Sequence, residues 1–238
     1  MSEPVLRLEA VEAAYGAFRA LFGVGLEVAP GEAVALVGPN GVGKTTIARV
    51  ASGLVRPTAG RVLVDGVDLT GKATHRFARA GVAHAPEGRS VFATLTVEEN
   101  LVLSIRRSRG RKGVPAGLEE AYELFPRLGE RRGQQAGSLS GGEQRMLSMA
   151  RVLVDAPRLL IADELSLGLA PLVVSEVYAS LARLRSSGVA LLVIEQHVGH
   201  ALALCDRVVI LDHGAITWSG PPSEAADRVR ARLEPTAG

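Results

Sequence analysis

The stretch Gly38-Pro-Asn-Gly-Val-Gly-Lys44-Thr45-Thr46 decides the fold of this chain. It follows an apolar run, Val34 to Val37, and leads into a helix-like segment, Lys44 to Ser52. Glycines let successive backbone N–H groups turn inward, the helix N-terminus adds positive dipole, and Lys44 adds a full charge. The hydroxyl of Thr45 is then placed for Mg²⁺. The stretch predicts a phosphate-binding loop between a strand and a helix.

An incidental lysine in a Gly-rich turn is the alternative interpretation of this stretch. Lysine is scarce in the chain, whose only lysines are Lys44, Lys72 and Lys112. A chance match that also lies between a strand and a helix is therefore rare, and we reject that interpretation.

Short apolar runs and helix-like segments alternate along most of the chain. The runs, which predict buried parallel strands, are Val34 to Val37, Leu159 to Ala162, Val189 to Ile194 and Val208 to Leu211. The helix-like segments are Lys44 to Ser52, Glu143 to Val154, Leu172 to Leu184 and Val198 to Leu204. This order predicts an α/β fold with a mainly parallel sheet.

Two parts of the chain depart from this alternation. Three segments near the N-terminus have a strand-like pattern that predicts a smaller antiparallel sheet, namely Val5 to Val11, Leu21 to Val28 and Arg61 to Leu69. Residues 88 to 138 are rich in charge and glycine, and Leu118 to Leu128 is helix-like. We therefore predict a single domain over residues 1–238 with an inserted, mostly helical subdomain at about 88–155.

Composition limits where the protein works and what it binds. The net charge is only +2, which gives no indication of a nucleic-acid partner. Cys205 is the only cysteine, which excludes an intrachain disulfide and fits a reducing compartment. The N-terminus lacks the pattern of a signal peptide, and the apolar runs fall short of the roughly 20 residues that span a bilayer. We expect a cytosolic protein with at most a peripheral membrane role.

An acidic pair ends the second of the four apolar runs. In Arg158-Leu-Leu-Ile-Ala-Asp163-Glu164 the two carboxylates lie at the carboxyl end of a predicted parallel strand, where ligands of such sheets collect. Asp163 is placed to support Mg²⁺, and Glu164 to polarise the water that attacks a γ-phosphate. Such a pair is common in α/β proteins, and without the phosphate loop a structural role would be equally plausible.

The stretch Leu139-Ser140-Gly141-Gly142-Glu143-Gln144 opens a predicted helix. Ser140 and Glu143 have the spacing of a capping box, which is a purely structural interpretation. Capping does not explain two glycines in the first helical turn, each of which costs up to about 1 kcal/mol relative to alanine. An anion that approaches the backbone closely is the natural reason for them.

These three motifs together resemble those of ABC ATPases and occur in the order of that family. The resemblance implies a P-loop NTPase fold, ATP as substrate and Mg²⁺ as cofactor. It also implies a dimer, because in that family the signature of one subunit closes over the nucleotide of another. Ser140, Gly141 and Gly142 would then contact ATP held by Lys44 of a second subunit.

The remaining positions follow from the resemblance. Tyr15 matches the aromatic residue that stacks on adenine, and His197 matches the switch histidine that contacts the γ-phosphate. The implied catalytic residues are Lys44, Glu164 and His197, and the implied metal contacts are Thr45, Glu87 and Asp163. The implied nucleotide contacts are Tyr15, Gly38, Pro39, Asn40, Gly41, Val42, Gly43, Lys44, Thr45, Thr46, Glu87, Ser140, Gly141, Gly142, Glu143 and Asp163.

Three departures from the family pattern are informative. Glu87 replaces the usual glutamine, and Leu165 replaces the usual proline. Ala170 replaces a common aspartate, which puts communication between the two sites through that aspartate in doubt. Four strings resemble the ATP-binding subunits of high-affinity branched-chain amino-acid importers, although relatives that serve urea or short amides share them. The strings are Pro86-Glu-Gly-Arg89, Leu95-Thr-Val-Glu-Glu-Asn-Leu101, Tyr122-Glu-Leu-Phe-Pro-Arg-Leu128 and Ser166-Leu-Gly-Leu-Ala-Pro171.

This resemblance implies a set of partners and a location. The partners are a second ATPase subunit, either identical or a sister chain, integral membrane permease subunits and, indirectly, an external solute-binding protein. The location is the cytoplasmic face of the cell membrane. Two alternatives remain: a soluble ABC protein of translation or DNA repair, and a nucleotide-binding regulator that has lost catalysis. The single phosphate loop disfavours the first, and the presence of Lys44 and Glu164 disfavours the second.

Overall fold

The computed structural model describes residues 3–86, 91–154, 157–196, 198–225 and 228. The chain forms two compact units. The first comprises Met1–His84, Arg158–Glu164 and Arg185–Gly238, and the second comprises Ala85–Pro157 and Leu165–Leu184. Among the helices of the described residues, none has both the length and the apolar character needed to cross a bilayer.

The secondary structure consists of the following strands and helices. The strands are β1 (Leu6–Tyr15), β2 (Phe18–Val28), β3 (Ala33–Val37), β4 (Ala59–Val64), β5 (Val67–Asp68), β6 (Val82–Ala85), β7 (Leu159–Asp163), β8 (Ala190–Glu195), β9 (Arg207–Asp212) and β10 (Ala215–Gly220). The helices are α1 (Lys44–Ala51), α2 (Thr74–Arg79), α3 (Val97–Arg109), α4 (Val114–Leu124), α5 (Pro126–Glu130), α6 (Gly141–Leu153), α7 (Pro171–Ser186) and α8 (Val198–Leu204). A 3₁₀ turn, Arg111–Gly113, joins α3 to α4.

The N-terminal part forms the antiparallel sheet that the sequence predicts, with strand order β2-β1-β4-β5. The segment Arg61 to Leu69, however, is a hairpin rather than one strand. Asp65 and Gly66 have φ values of 48° and 73°, which form a two-residue turn between β4 and β5. Asp-Gly favours this mirror-image turn because its twist matches that of paired strands.

The second sheet has the order β10-β9-β3-β8-β7-β6 and is mainly parallel, as predicted. Strand β3 pairs in parallel with β8 and β9, and β7 pairs in parallel with β8, whereas β10 is antiparallel to β9. Every residue of β3, β7 and β8 is buried. Burial on both faces explains why these strands are continuous apolar runs without alternation.

Helix α1 packs against both sheets of the first unit. It contacts β1 and β2 of the antiparallel sheet and β7 and β8 of the parallel sheet. Ile47 is fully buried in a core to which Leu6 and Leu8 contribute from one sheet and Leu36 and Leu192 from the other. This packing fixes the start of α1, and therefore Lys44, at the end of the loop that follows β3.

The second unit is mostly helical, with α3, α4 and α5 packed around α6. The predicted helix Leu118 to Leu128 is wrong as a single element, since α4 ends at Leu124 and α5 begins at Pro126. Phe125, between them, has φ −134° and ψ 79°. The proline ring disfavours helical geometry in the residue before it, so the helix stops there despite its continuing apolar pattern.

Asn100 ties the segment before α3 to the helix itself. The residue is fully buried; its side-chain oxygen accepts a hydrogen bond from Phe92 N (2.8 Å), and its amide donates to Phe92 O (3.0 Å) and Thr96 O (2.9 Å). We expect Asn100→Ala to lower the free energy of unfolding by about 3 kcal/mol, because buried backbone groups lose their partners. Chemical denaturation checks this. Leu103→Ala, an exposed change on the same helix, is the control, and an equal loss in both would contradict the proposed cause.

His84 makes stability depend on pH. Its Nδ1 lies 3.2 Å from Ser52 Oγ, whose hydroxyl donates to Ala48 O, and its Nε2 is buried without a partner among the described residues. Burial, with a smaller effect of Arg49, lowers the pKa of His84 from 6.5 to about 4. The neutral form is therefore favoured in the folded state.

The pKa of His84 is lower in the folded than in the unfolded chain. The contribution of the neutral side chain to the free energy of unfolding is therefore fully present above pH 6.5. As pH falls towards 4, we expect protonation of His84 to lower the free energy of unfolding by about 3 kcal/mol. His84→Asn should flatten the unfolding free energy between these pH values, whereas the exposed His75→Asn should not. Denaturation curves over this pH range measure both, and an unchanged slope in the His84 variant would contradict the assignment.

Candidate active site

The predicted phosphate-binding loop connects β3 to α1 as the sequence indicates. Gly43 caps α1 with φ 108°, and a Cβ atom there would lie 2.8 Å from Ala20 O, so only glycine fits without strain. Among the described residues, no side chain caps the N-terminus of α1, and its first turn holds no acid. Its backbone N–H groups are thus left for an outside acceptor, which fits an anion.

Lys44, the first residue of α1, points back over this loop. The residue is only 4% exposed, and its Nζ donates hydrogen bonds to Gly38 O and Pro39 O, both at 2.9 Å. Nζ also lies 3.6 Å from Glu164 Oε1. A buried ammonium group held by oxygen atoms is a charge that phosphate oxygens can take over.

The acidic pair lies at the end of β7, in the same unit as the loop. Asp163 is buried, and the Thr45 hydroxyl donates to its Oδ1 at 3.5 Å. Glu164 has φ 47°, and its N–H donates to Ile194 O in β8 at 2.9 Å. The Glu164 carboxylate faces Lys44 from this position. The sequence predicts neither the geometry nor the pairing of Glu164 with Lys44.

An open cleft above the loop holds two aromatic side chains. Tyr15 and Phe18 line it together with Lys44, Thr45 and Glu164. Tyr15 is 42% and Phe18 66% exposed. Tyr15 was predicted from the sequence, whereas Phe18 was not. The signal was present, because Gly16 follows Tyr15 and a tight hairpin at that point makes residues 15 and 18 direct partners across the strands.

The Ser-Gly-Gly-Glu stretch lies in the second unit, at the start of α6. Ser140 Oγ accepts from Glu143 N, and Glu143 Oε2 accepts from Ser140 N, which confirms the capping box. Glu143 Oε1 also pairs with Arg131 at 2.8 Å. A Cβ at Gly142 would lie 3.2 Å from the Val173 side chain. Packing against Val173 is therefore a structural reason for glycine at position 142, and the sequence did not indicate it.

Two predicted site residues, Glu87 and His197, lie outside the described residues. The first follows Pro86, whose carbonyl accepts from Arg145 at 3.2 Å within the second unit. The other follows Gln196, directly after β8. Their roles remain predictions.

A sequence model of the family described as "ABC transporter" matches residues 21–166, which include Lys44, Ser140 and Glu164. The chain belongs to this family. It is an ABC ATPase, and the predicted P-loop ABC fold and ATP-hydrolysing activity are confirmed.

Curated relatives of this ABC ATPase serve different transport systems. It is 40% identical over 212 residues to the high-affinity branched-chain amino acid transport ATP-binding protein BraG of Pseudomonas aeruginosa, with 89% of this chain and 91% of BraG covered. It is 33% identical over 222 residues to the lipopolysaccharide export system ATP-binding protein LptB of Haemophilus influenzae, with 92% of both chains covered.

The fold also matches solved structures. The crystal structure of a nucleotide-free ATP-binding cassette from an ABC transporter has a TM-score of 0.82 and 26% identity, with 95% of both chains covered. The ADP conformation of MJ1267, an ATP-binding cassette of an ABC transporter, has a TM-score of 0.80 and 26% identity, with 93% of this chain and 92% of that one covered.

Proposed function

We propose that this ABC ATPase powers an importer of branched-chain or related hydrophobic amino acids. The observation that carries the proposal is the 40% identity to BraG over 89% of the chain. A second relative, the branched-chain amino acid transport ATP-binding protein BraF of Pseudomonas aeruginosa, is 32% identical over 95% of the chain. The four sequence strings that resemble this importer group support the same substrate class.

In the proposed site, the loop and Lys44 bind the phosphates of ATP. The hydrogen bonds from Nζ to Gly38 O and Pro39 O hold the ammonium group over the loop before ATP arrives. Phosphate oxygens then replace some of these contacts, and Tyr15 stacks on the adenine ring. The other proposed loop contacts are Asn40, Gly41, Val42, Gly43 and Thr46.

Thr45 and Asp163 would hold Mg²⁺ next to the phosphates. Their oxygen atoms lie 3.5 Å apart, and oxygen ligands are those that Mg²⁺ prefers, so the residues present fit this ion. When bound, Mg²⁺ neutralises charge that develops on the phosphates. Glu87 is the proposed additional contact. Glu164 orients and polarises the attacking water, and His197 contacts the γ-phosphate.

The proposed working unit is a dimer in which each site needs the α6 N-terminus of the other subunit. Ser140 is exposed and α6 begins directly after it. The capping box uses the N–H of Glu143 but not those of Gly141 and Gly142, so these two N–H groups and the helix dipole would serve an anion from another chain. Glu143 acts indirectly, since its carboxylate holds the cap and Arg131. We propose that the inserted helical subdomain at about 88–155, which contains Ser140, supplies this half of the site.

The specific ATPase activity of the purified chain should rise with its concentration, because a composite site forms only on association. Steady-state rates over a dilution series measure this. A sharper test mixes two inactive variants, Lys44→Ala and Ser140→Arg, whose mixed dimer contains one site with both wild-type halves. Recovered activity on mixing supports the composite site, and a rate independent of concentration contradicts it.

The proposed partners are permease subunits in the membrane, a second ATPase subunit and, indirectly, a solute-binding protein outside. The chain would thus lie peripherally on the cytoplasmic face, without a nucleic-acid partner. Lipopolysaccharide export is the second candidate, because LptB of Haemophilus influenzae is 33% identical over 92% of the chain. Import of urea or short amides is a third.

Purification of the intact transporter through this subunit and its reconstitution into proteoliposomes tests the proposed substrate. We expect leucine, isoleucine and valine, with the solute-binding protein, to stimulate ATP hydrolysis and to be taken up. Stimulation by lipopolysaccharide, urea or acetamide instead would overturn the amino-acid assignment. ATP hydrolysis by a chain that co-purifies with no membrane protein would overturn the transport role.

A further inference from the structure

The end of α3 and the turn after it carry a concentrated positive charge. We call residues 106–112 (Arg-Arg-Ser-Arg-Gly-Arg-Lys) the basic segment; five of its seven residues are basic and none is acidic. Arg106, Arg107, Arg111 and Lys112 are exposed. Within the described residues, Arg106, Arg111 and Lys112 form no ion pair. No part of the proposed ATPase mechanism uses this segment.

Local stability explains only part of the basic segment. Arg109 pairs with Glu120 of α4 at 2.7 Å. The cations in the last turn of α3 also interact favourably with the dipole of that helix. Arg111 and Lys112 lie beyond that helix, however, and directly before the N-terminus of α4. Positive charge is unfavourable at that end, and the first turn of α4 holds no acid to offset it. A local conflict of this kind indicates a role outside folding.

An exposed apolar side chain adjoins the basic segment. Leu103 is 46% exposed and lies three and four residues before Arg106 and Arg107, so the three share one face of α3. Leucine beside arginines is typical of helices that lie in the membrane interface, where the apolar chain enters the lipid and the cations meet headgroups. Arginine also suits phosphate, since its planar group donates two parallel hydrogen bonds.

We propose that Leu103 and the basic segment form a surface that binds the anionic phospholipids of the membrane on which the transporter works. The choice of a membrane as partner rests on the proposed function. Several cations that act together are needed, because each one near an anionic bilayer contributes about a fivefold gain in binding. The contact would hold this unit at the headgroups independently of the permease.

Sedimentation of the full-length chain with phosphatidylcholine vesicles, with and without phosphatidylglycerol, tests the proposal. Binding should require phosphatidylglycerol and weaken as salt is added. The triple variant R106Q/R111Q/K112Q should bind on the order of a hundredfold more weakly, since it removes three charges that contribute about fivefold each. The control triple K72Q/R76Q/R79Q removes the same charge from exposed residues of the other unit and should bind as the wild type. Leu103→Ser should lower the binding that persists at high salt.

Each outcome decides the matter. Absence of binding to anionic vesicles, or an equal loss in both triple variants, overturns the surface. A short RNA that displaces the vesicles at lower concentration also overturns it, in favour of a nucleic-acid site. ATPase activity in the R106Q/R111Q/K112Q variant should equal that of the wild type, which shows that it is folded. Failure of the proposed transport role in proteoliposomes would leave vesicle binding standing, so the two proposals fail separately.

Discussion

Glu164→Gln should lower the rate of ATP hydrolysis by about a hundredfold or more while ATP binding stays within a fewfold of the wild type. The amide is the same size as the carboxylate but polarises water poorly. The substitution leaves the backbone unchanged, including the hydrogen bond from residue 164 N to Ile194 O at 2.9 Å. Steady-state phosphate release measures turnover, and equilibrium binding of a fluorescent ATP analogue measures affinity.

Two comparisons make the Glu164 result specific. Glu224→Gln removes an exposed carboxylate of the same unit and should leave both quantities unchanged. The lost charge of Glu164 also frees Lys44, 3.6 Å away, so ATP binding should if anything become tighter. Retained turnover in the Glu164 variant would contradict its role towards the attacking water, and lost binding would indicate a damaged loop instead.

Lys44→Met should weaken ATP binding by a factor on the order of 10² to 10³, because the substitution removes the ammonium group that would pair with the phosphates. Methionine keeps most of the side-chain volume, so the packing around this 4% exposed residue changes little. The measurement is the rise in unfolding temperature that saturating ATP causes, which reflects binding to the folded state. The variant should lose this rise.

Lys72→Met is the matched control, since Lys72 is an exposed lysine of the same unit. It should keep the full ATP-dependent rise. The unfolding temperature without ATP shows whether either variant is folded. A Lys44 variant that is folded and still stabilised by ATP would contradict the proposed phosphate contact.

The parts of the site that lie together in the chain could be predicted from sequence. The phosphate loop, the strand before it and the helix after it occupy Ala33 to Ala51 without interruption, and the capping box of α6 spans four residues. Such elements depend on backbone preferences and hydrogen bonds between near neighbours, which the residue types determine directly. The break at Phe125 was equally local, and Pro126 was the signal that the apolar pattern hid.

The position of Phe18 shows where a sequence prediction fails for lack of register. A slip of one residue between β1 and β2 would turn Phe18 to the other face of the sheet and away from Tyr15. The tight turn after Tyr15 was visible in the sequence, but the pairing that places both aromatic rings in one cleft depends on the whole hairpin.

The sequence by itself determined the fold class and the family, because the phosphate loop, the acidic strand end and the Ser-Gly-Gly-Glu helix start are each local patterns with their own chemistry. Only the tertiary structure placed Lys44 beside Glu164 and Thr45 beside Asp163, across 120 and 118 positions of chain. Those distances follow from the strand order β3-β8-β7 and from α1 packed between two sheets. Burial of the apolar core, summed over residues far apart in sequence, selects that arrangement, and no single segment encodes it.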